Sequence, residues 1–240
     1  MVMKNTILCV KWGDKYGREY VEKLKQQCEK KCSVPFNFYC LTDNPTEPYD
    51  IPIPTTWDSH ENGKFWAYRK LYMFDEDKVN IEGNNFLYLD LDVIVQKDLS
   101  YFFELDMEHP YIVKGWWNDI EVCKKNFAKF KSPMVNSSVM RWDRGQLKKV
   151  YNHIKNNLDV IFFTYPTIDN YINHFWYNMY DEEDSFMSGF PKGDVYSWYK
   201  GNIYPNDMEP RKNREYCKIC LFNNSGETND VEELKTLWSA

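Results

Sequence analysis

The sequence predicts a single α/β domain with a mostly parallel central sheet flanked by helices, and three observations carry that expectation. The chain opens with a strand, a helix and a second strand in close succession, over Thr6–Val10, Arg18–Cys32 and Pro35–Asp43. The run Phe86-Leu87-Tyr88-Leu89 is apolar on both faces, as in a central strand covered by helices on either side. At 240 residues and 43 % hydrophobic content, the chain can bury one sizeable core.

Taken in order, Thr6–Val10 is a short apolar run and reads as a strand. A glycine-containing turn, "KWGDKYG", leads into "REYVEKLKQQCEKKC", whose Tyr20, Val21, Leu24 and Cys28 recur at helical spacing. "PFNFYCLTD" is a second strand, closed by a turn at Asp43-Asn44-Pro45. A strand, helix and strand of this length form a βαβ unit, which implies parallel strands and a right-handed crossover. The proline-rich "EPYDIPIPTTW" reads as an irregular connection, and "KFWAYRKLYMF" has a helical pattern. The strand through Phe86–Asp90 follows, then "YIVKGWW", a charged helical stretch and a strand in "SPMVNSSVMRWD". "RGQLKKVYNHIKNNL" has the periodicity of a surface helix. Residues 164–216 are dense in aromatics, Asn, Gly and Pro and read as loops with short helices, and "YCKICLF" supplies a last strand. No repeat or linker interrupts the chain, so the expectation is one domain over 1–240.

Composition narrows the function. A net charge of -6 argues against nucleic acid or an anionic membrane surface as the main partner. No stretch approaches the roughly 18 apolar residues of a membrane span. "MVMKNTILCV" meets charges too early for a secretory signal, which makes the cytoplasm the expected location. Aromatics reach 18 %, with 9 Trp and 18 Tyr, more than a core alone requires and suited to stacking on sugars or bases. The seven cysteines are irregularly spaced; Cys28/Cys32 and Cys217/Cys220 would form a zinc site only by converging, and reduced thiols fit better. His60, His109, His153 and His174 show no metal-ligand spacing.

The chemistry concentrates at "FLYLDLDVIV". Ligands of open α/β sheets bind beyond the carboxyl ends of the strands, and Asp90 stands at such an end. On an extended backbone, Asp90 and Asp92 share a face while Leu91 points away. Two carboxylates on one face repel unless a cation lies near, and Mg²⁺ or Mn²⁺ suits one or two carboxylates plus substrate phosphates. The alternative is that both aspartates end a strand and are solvated. The apolar runs on either side favour a site.

In order along the chain, "VKWGDKYGREYV", "FYCLTD", "YRKLYMF", "FLYLDLDVIV", "NSSVMRWD" and "PTIDNYI" resemble segments of nucleotide-sugar-dependent glycosyltransferases of the GT-A fold, of the compact family 8-like bacterial and viral type. The resemblance implies one GT-A domain with a nucleotide-binding half (1–98) and a sugar- and acceptor-binding half (99–240). It places Val10, Lys11, Trp12, Gly13 and Tyr16 around the nucleotide, with Tyr16 or Trp12 stacking on the base, and puts Thr42 and Asp43 beside the nucleoside. Lys70 falls where the family has a lysine before the D-x-D strand; it or Arg69 would reach the donor or steady Asp90. Within the D-x-D, Asp92 would ligate the metal, Asp90 would contact ribose, sugar or metal, and Leu91 between them would belong to the nucleotide-binding set. Asn136, Ser137 and Ser138 would face the donor sugar and acceptor, and Asp169 would be the general base or sugar anchor, with Asn170 beside it.

One departure stands out. Family members end in "F-H-G-x-P-K-P", whose histidine ligates the metal and whose lysine meets phosphate, whereas this chain has "LFNNSGETND". Asn223 holds the histidine's position and would be a weaker, neutral oxygen ligand, with Asn224 or water as the other candidate. Lys200, Arg211 or Arg214 would have to replace the phosphate contact.

The implied reaction is metal-dependent transfer of a hexose from a UDP-sugar to the hydroxyl of a glycan or other acceptor, with Mn²⁺ or Mg²⁺. A nucleotidyltransferase acting on sugar phosphates shares the metal and phosphate logic, but "KWGDKYG" lacks the dense Gly-rich basic loop of such enzymes. A sugar- or nucleotide-binding module without turnover is the third reading, kept open by the missing histidine and lysine.

Overall fold

The computed structural model describes residues 5–57, 66–76, 78–181, 183–198 and 217–222. The chain begins with strand β1 (Asn5–Lys11), helix α1 (Arg18–Lys31) and strand β2 (Phe36–Thr42), and β1 pairs parallel to β2. Helix α1 buries Tyr20, Val21, Leu24 and Cys28, the residues whose spacing marked it. A short strand, β3 (Asp50–Pro52), continues the parallel set on the outer side of β2. It lies within the stretch read as irregular. Pro52 is tolerated because β3 is the edge of its sheet, where no further strand asks for the missing N–H.

The next segment, Trp66–Phe74, is helical but wound as a 3₁₀ helix. Tyr68, Leu71 and Phe74, spaced three apart, are all buried, which suits the eclipsed period of that helix. It leads to β4 (Asn85–Leu89), which pairs parallel to β1 on the side opposite β2. Every residue of β4 is buried. Phe86 and Tyr88 enter one core layer, and Leu87 and Leu89 enter the other. The strand is therefore apolar on both faces because both faces of the sheet are covered.

After β4 the chain turns at Asp90-Leu91-Asp92 and begins β5 (Val93–Val95) in a different sheet. The extended backbone expected through Asp92 thus ends at Leu89, because Val93–Val95 find their partners elsewhere. A four-residue helix, α2 (Ser100–Phe103), leads to β6 (Tyr111–Lys114), helix α3 (Ile120–Asn126) and strand β7 (Val135–Asp143). β7 runs antiparallel to both β4 and β6. Helices α4 (Lys148–Asn156), α5 (Leu158–Thr164) and α6 (Ile168–Phe175) follow. Short strands then appear at β8 (Ser188–Gly189), β9 (Val195–Ser197) and β10 (Ile219–Leu221). β8 and β9 fall within the region read as loops; two or three residues give too little period to show in the sequence.

The large sheet has the order β3-β2-β1-β4-β7-β6-β8, and β5-β10-β9 form the small one. The large sheet is mostly parallel, with β7 alone reversed. No disulfide joins the cysteines. Among the described residues, no helix is long and apolar enough to cross a membrane.

Candidate active site

The carboxyl ends of β1, β2 and β4 lie side by side, and β7 brings its amino-terminal half to the same edge because it runs the other way. The β4–β7 ladder pairs Leu89 with Val139, and Asp90 N–H extends it by donating to Ser138 O at 2.8 Å. "NSS" is thereby held beside the D-x-D turn.

Asp90 is heavily engaged. Lys70 Nζ lies 2.8 Å from its Oδ1 and donates to its Oδ2 at 2.9 Å, and the Tyr88 hydroxyl donates to Oδ1. Tyr88 is two residues back on the same face of β4, so the period-two rule marks it as a partner that sequence reasoning missed. Lys70 also reaches Ser137 Oγ at 3.4 Å. Asp92 has a different neighbour: the Tyr16 hydroxyl donates to its Oδ2 at 3.0 Å. Its backbone carbonyl accepts from Phe222 N–H at 3.1 Å, tying the turn to the last strand. Burial and the adjacent Asp90 push the Asp92 carboxyl above its ordinary range, while Tyr16, Lys70 and Lys15 pull the other way. Burial is the larger cause of the rise and the like charge of Asp90 the second.

Asp169, in the first turn of α6, is brought to this cluster from the far end of the sequence. Its Oδ1 accepts from Ser137 N–H at 2.9 Å and its Oδ2 from Asn136 Nδ2 at 3.3 Å. Burial raises its pKa, against the pull of Lys70 and of the Ser137 hydrogen bonds. Asn170 faces another way: its Oδ1 accepts from Thr167 Oγ1 at 2.6 Å, and its N–H donates to the same hydroxyl at 3.3 Å. Thr167 is the N-cap of α6. Thr167→Ala is expected to cost about 1 kcal/mol, within the usual range for a lost cap. Thermal denaturation should show it as a fall of roughly 2–4 °C in Tm.

In the loop after β1, Gly13 sits at φ +62, in the left-handed region that favours glycine. Its N–H donates to Asp43 Oδ2 at 3.0 Å, and Lys11 Nζ donates to its carbonyl at 3.0 Å. These bonds join the loop after β1 to the end of β2. Thr42 is fully buried, and its hydroxyl accepts from Asn44 N–H at 3.2 Å. The Arg69 guanidinium lies 3.4 Å from the centre of the Trp12 ring, so Arg69 backs an aromatic wall and leaves Asp90 to Lys70. Val10 and Trp12 pack partly buried against the core, and the Leu91 side chain is buried in it. Asn223, Asn224, Lys200, Arg211, Arg214 and His60 lie outside the described residues.

Among the described residues, no group of three or more His, Cys, Asp or Glu side chains is placed to hold a metal. The donor set is the Asp90/Asp92 pair. It fits Mg²⁺ or Mn²⁺ in the mode where one or two carboxylates hold the ion and phosphates and water complete its shell. A groove of about 550 Å³ lies elsewhere, along Phe36–Tyr39 at the amino end of β2, with Lys25, Glu29 and Tyr49. None of the site carboxylates lines it.

No protein-family model and no curated protein matches the chain. Solved structures do. The chain is similar to galactosyltransferase LgtC, solved in complex with donor and acceptor sugar analogues, with a TM-score of 0.68 and 10 % identity over 98 % of this chain and 95 % of that one. It is also similar to a glycosyltransferase involved in glycosylation of the major capsid of PBCV-1, with a TM-score of 0.59 and 15 % identity over 97 % and 99 % of the two chains. A third is GlyE of Streptococcus pneumoniae TIGR4, with a TM-score of 0.61 and 12 % identity over 98 % of this chain and 60 % of that one. At such identities the likeness speaks to architecture: the chain has the GT-A fold of these glycosyltransferases.

Proposed function

We propose that the protein is a glycosyltransferase that moves a hexose from a UDP-sugar to an acceptor hydroxyl, using Mn²⁺ or Mg²⁺. The observation that carries this reading is the Asp90/Asp92 turn at the carboxyl end of central strand β4, with Lys70 and Asp169 gathered around it. Residues 1–98 serve the nucleotide and residues 99–240 the sugar and acceptor.

The roles follow from the chemistry of the groups. A divalent ion at Asp90 and Asp92 would supply Lewis-acid stabilisation of the departing nucleoside diphosphate. Lys70 places its side-chain nitrogen beside Asp90 and Ser137, where it can meet donor phosphate or sugar oxygens. Trp12 offers a flat surface for the base, stiffened by Arg69 behind it. Asn136, Ser137 and Ser138 supply the mixed donors and acceptors that sugar hydroxyls require. Asp169 takes the acceptor's proton as its oxygen attacks the anomeric carbon and the bond to the diphosphate breaks. A carboxyl whose pKa is raised by burial is better matched to that task than an exposed one.

The acid must be deprotonated to act, so the rate falls as pH drops through the pKa of Asp169. The acidic limb of kcat/KM is expected to lie above the ordinary aspartate range of about 3.9. Asp169→Asn should remove that limb and lower the rate by about 10²–10⁴-fold. An unchanged limb in this variant would take the proton-accepting role from Asp169.

The direct test of function is incubation with a panel of UDP-sugars, sugar acceptors and Mn²⁺, followed by product analysis. Free UDP together with a glycosylated acceptor supports the proposal. Pyrophosphate would mark a nucleotidyltransferase, and donor binding without release of UDP would mark a binding module.

A further inference from the structure

Tyr16 lies in the loop after β1, and its hydroxyl reaches the D-x-D turn. Its ring lies 4.8 Å from that of Tyr20 on the first turns of α1, and Lys15 Nζ sits 4.6 Å from the ring centre. The hydroxyl donates to Asp92 Oδ2 at 3.0 Å across 76 residues of sequence.

The two aspartates are not equivalent. Both oxygens of Asp90 already accept hydrogen bonds, from the Lys70 ammonium and the Tyr88 hydroxyl, which makes it the less available donor of the pair. Asp92 carries one neutral hydrogen bond, on Oδ2 alone. Among the described residues, its Oδ1 receives no hydrogen bond. Asp92 is thus the carboxylate of the pair with the freer oxygen for a cation, and the Tyr16 hydroxyl restrains the direction in which that oxygen points. A carboxylate on a turn otherwise rotates about two side-chain torsions. Groups that hydrogen-bond to a ligating carboxylate remove that freedom, and losing one typically costs 10- to 100-fold in metal affinity.

Resting on the function proposed above, we infer that Tyr16 is a positioning residue for the metal: its hydroxyl orients Asp92 so that Oδ1 faces the diphosphate. This assigns the hydroxyl a task separate from any stacking by the ring. It also joins the loop after β1, on the nucleotide side, to the metal site through one hydrogen bond.

Tyr16→Phe separates the two tasks, because it keeps the ring and its contact with Tyr20 and deletes only the hydroxyl. Mn²⁺ alone is titrated against the protein, following loss of the free-ion EPR signal, and UDP is titrated separately in EDTA. The expected result is a Kd for Mn²⁺ raised about 10- to 100-fold in Tyr16→Phe, with UDP affinity in EDTA equal to that of the wild type. At saturating Mn²⁺, kcat should return towards the wild-type value. The inference is overturned if Tyr16→Phe binds Mn²⁺ as the wild type does, or if Mn²⁺ and UDP affinities fall together. Asp92→Ala separates the two levels of the argument. If wild type and Asp92→Ala bind Mn²⁺ equally, the metal-dependent function falls and the inference falls with it. If Mn²⁺ binding depends on Asp92 and not on the Tyr16 hydroxyl, the inference alone fails.

Discussion

Asp92→Ala is expected to abolish the specific binding of Mn²⁺ and to lower the rate of sugar transfer by about 10²–10³-fold, the scale on which a single group that stabilises developing charge contributes. The protein should fold normally. The backbone carbonyl of Asp92 accepts from Phe222 N–H, a bond that alanine retains. Burial, and after it the neighbouring Asp90, hold the Asp92 carboxyl above its ordinary range, so its charge is costly where it stands. Removing it relieves that cost, so Tm should hold or rise, as is usual when a functional charge cluster is diluted. Asp90 makes a poorer test. Its loss would leave the Lys70 ammonium, whose side chain is only 14 % exposed, without its carboxylate, so stability and activity would fall together. Release of UDP, EPR titration with Mn²⁺ and thermal melting, run on the same Asp92→Ala preparation, give three readings. Wild-type turnover in this variant would remove the D-x-D from the mechanism.

Much of the architecture was legible because its signals are local. The period of Tyr20, Val21, Leu24 and Cys28 marked α1, and the doubly apolar Phe86–Leu89 marked the central strand; both are buried as that pattern requires. What escaped was short or depended on distant partners. β3 has three residues, one of them Pro52, so it is a strand only because β2 offers it an edge. Val93–Val95 read as core, but nothing local says that they leave the large sheet to pair with Ile219–Leu221.

The same division holds for the site. Asp90 and Asp92 announce themselves by sitting at the end of an apolar strand. Their partners do not, because Tyr16, Lys70 and Ser137 arrive from separate elements and meet only through the sheet order. Tyr88 was within reach of the period-two rule, whereas the choice between Lys70 and Arg69 beside Asp90 turns on one residue of rotation along a 3₁₀ helix, which places Lys70 on Asp90 and Arg69 over Trp12. Asn170 reads as a site residue beside Asp169, yet one position further along α6 it meets the Thr167 cap instead.

The register of β4 against β7 decides whether the two halves of the site meet, and the pair Phe86–Trp142 packs the end of that ladder away from the site. Trp142 is fully buried, stacked on Phe86 at 5.4 Å and edge-on to Phe74 at 5.3 Å. Its Nε1 donates to Glu76 Oε1 at 3.0 Å. Trp142→Ala is expected to cost about 3–5 kcal/mol, because the cavity left by an indole in a packed core collapses only in part. At roughly 2–4 °C per kcal/mol for a chain of this size, Tm should fall by about 6–20 °C. Glu76 keeps Gly145 N–H as a donor at 2.9 Å, so the loss is mainly one of packing. Trp142→Phe, which retains a ring against Phe86, should lose distinctly less. The site end of the ladder, at Leu89 and Val139, is held by its own backbone pairs and by Asp90 N–H to Ser138 O. Well below its lowered Tm, Trp142→Ala should therefore transfer sugar at close to the wild-type rate, the reverse of Asp92→Ala. An intact Tm with lost activity in Trp142→Ala would show that the indole acts on the site itself and not through the register of the two strands.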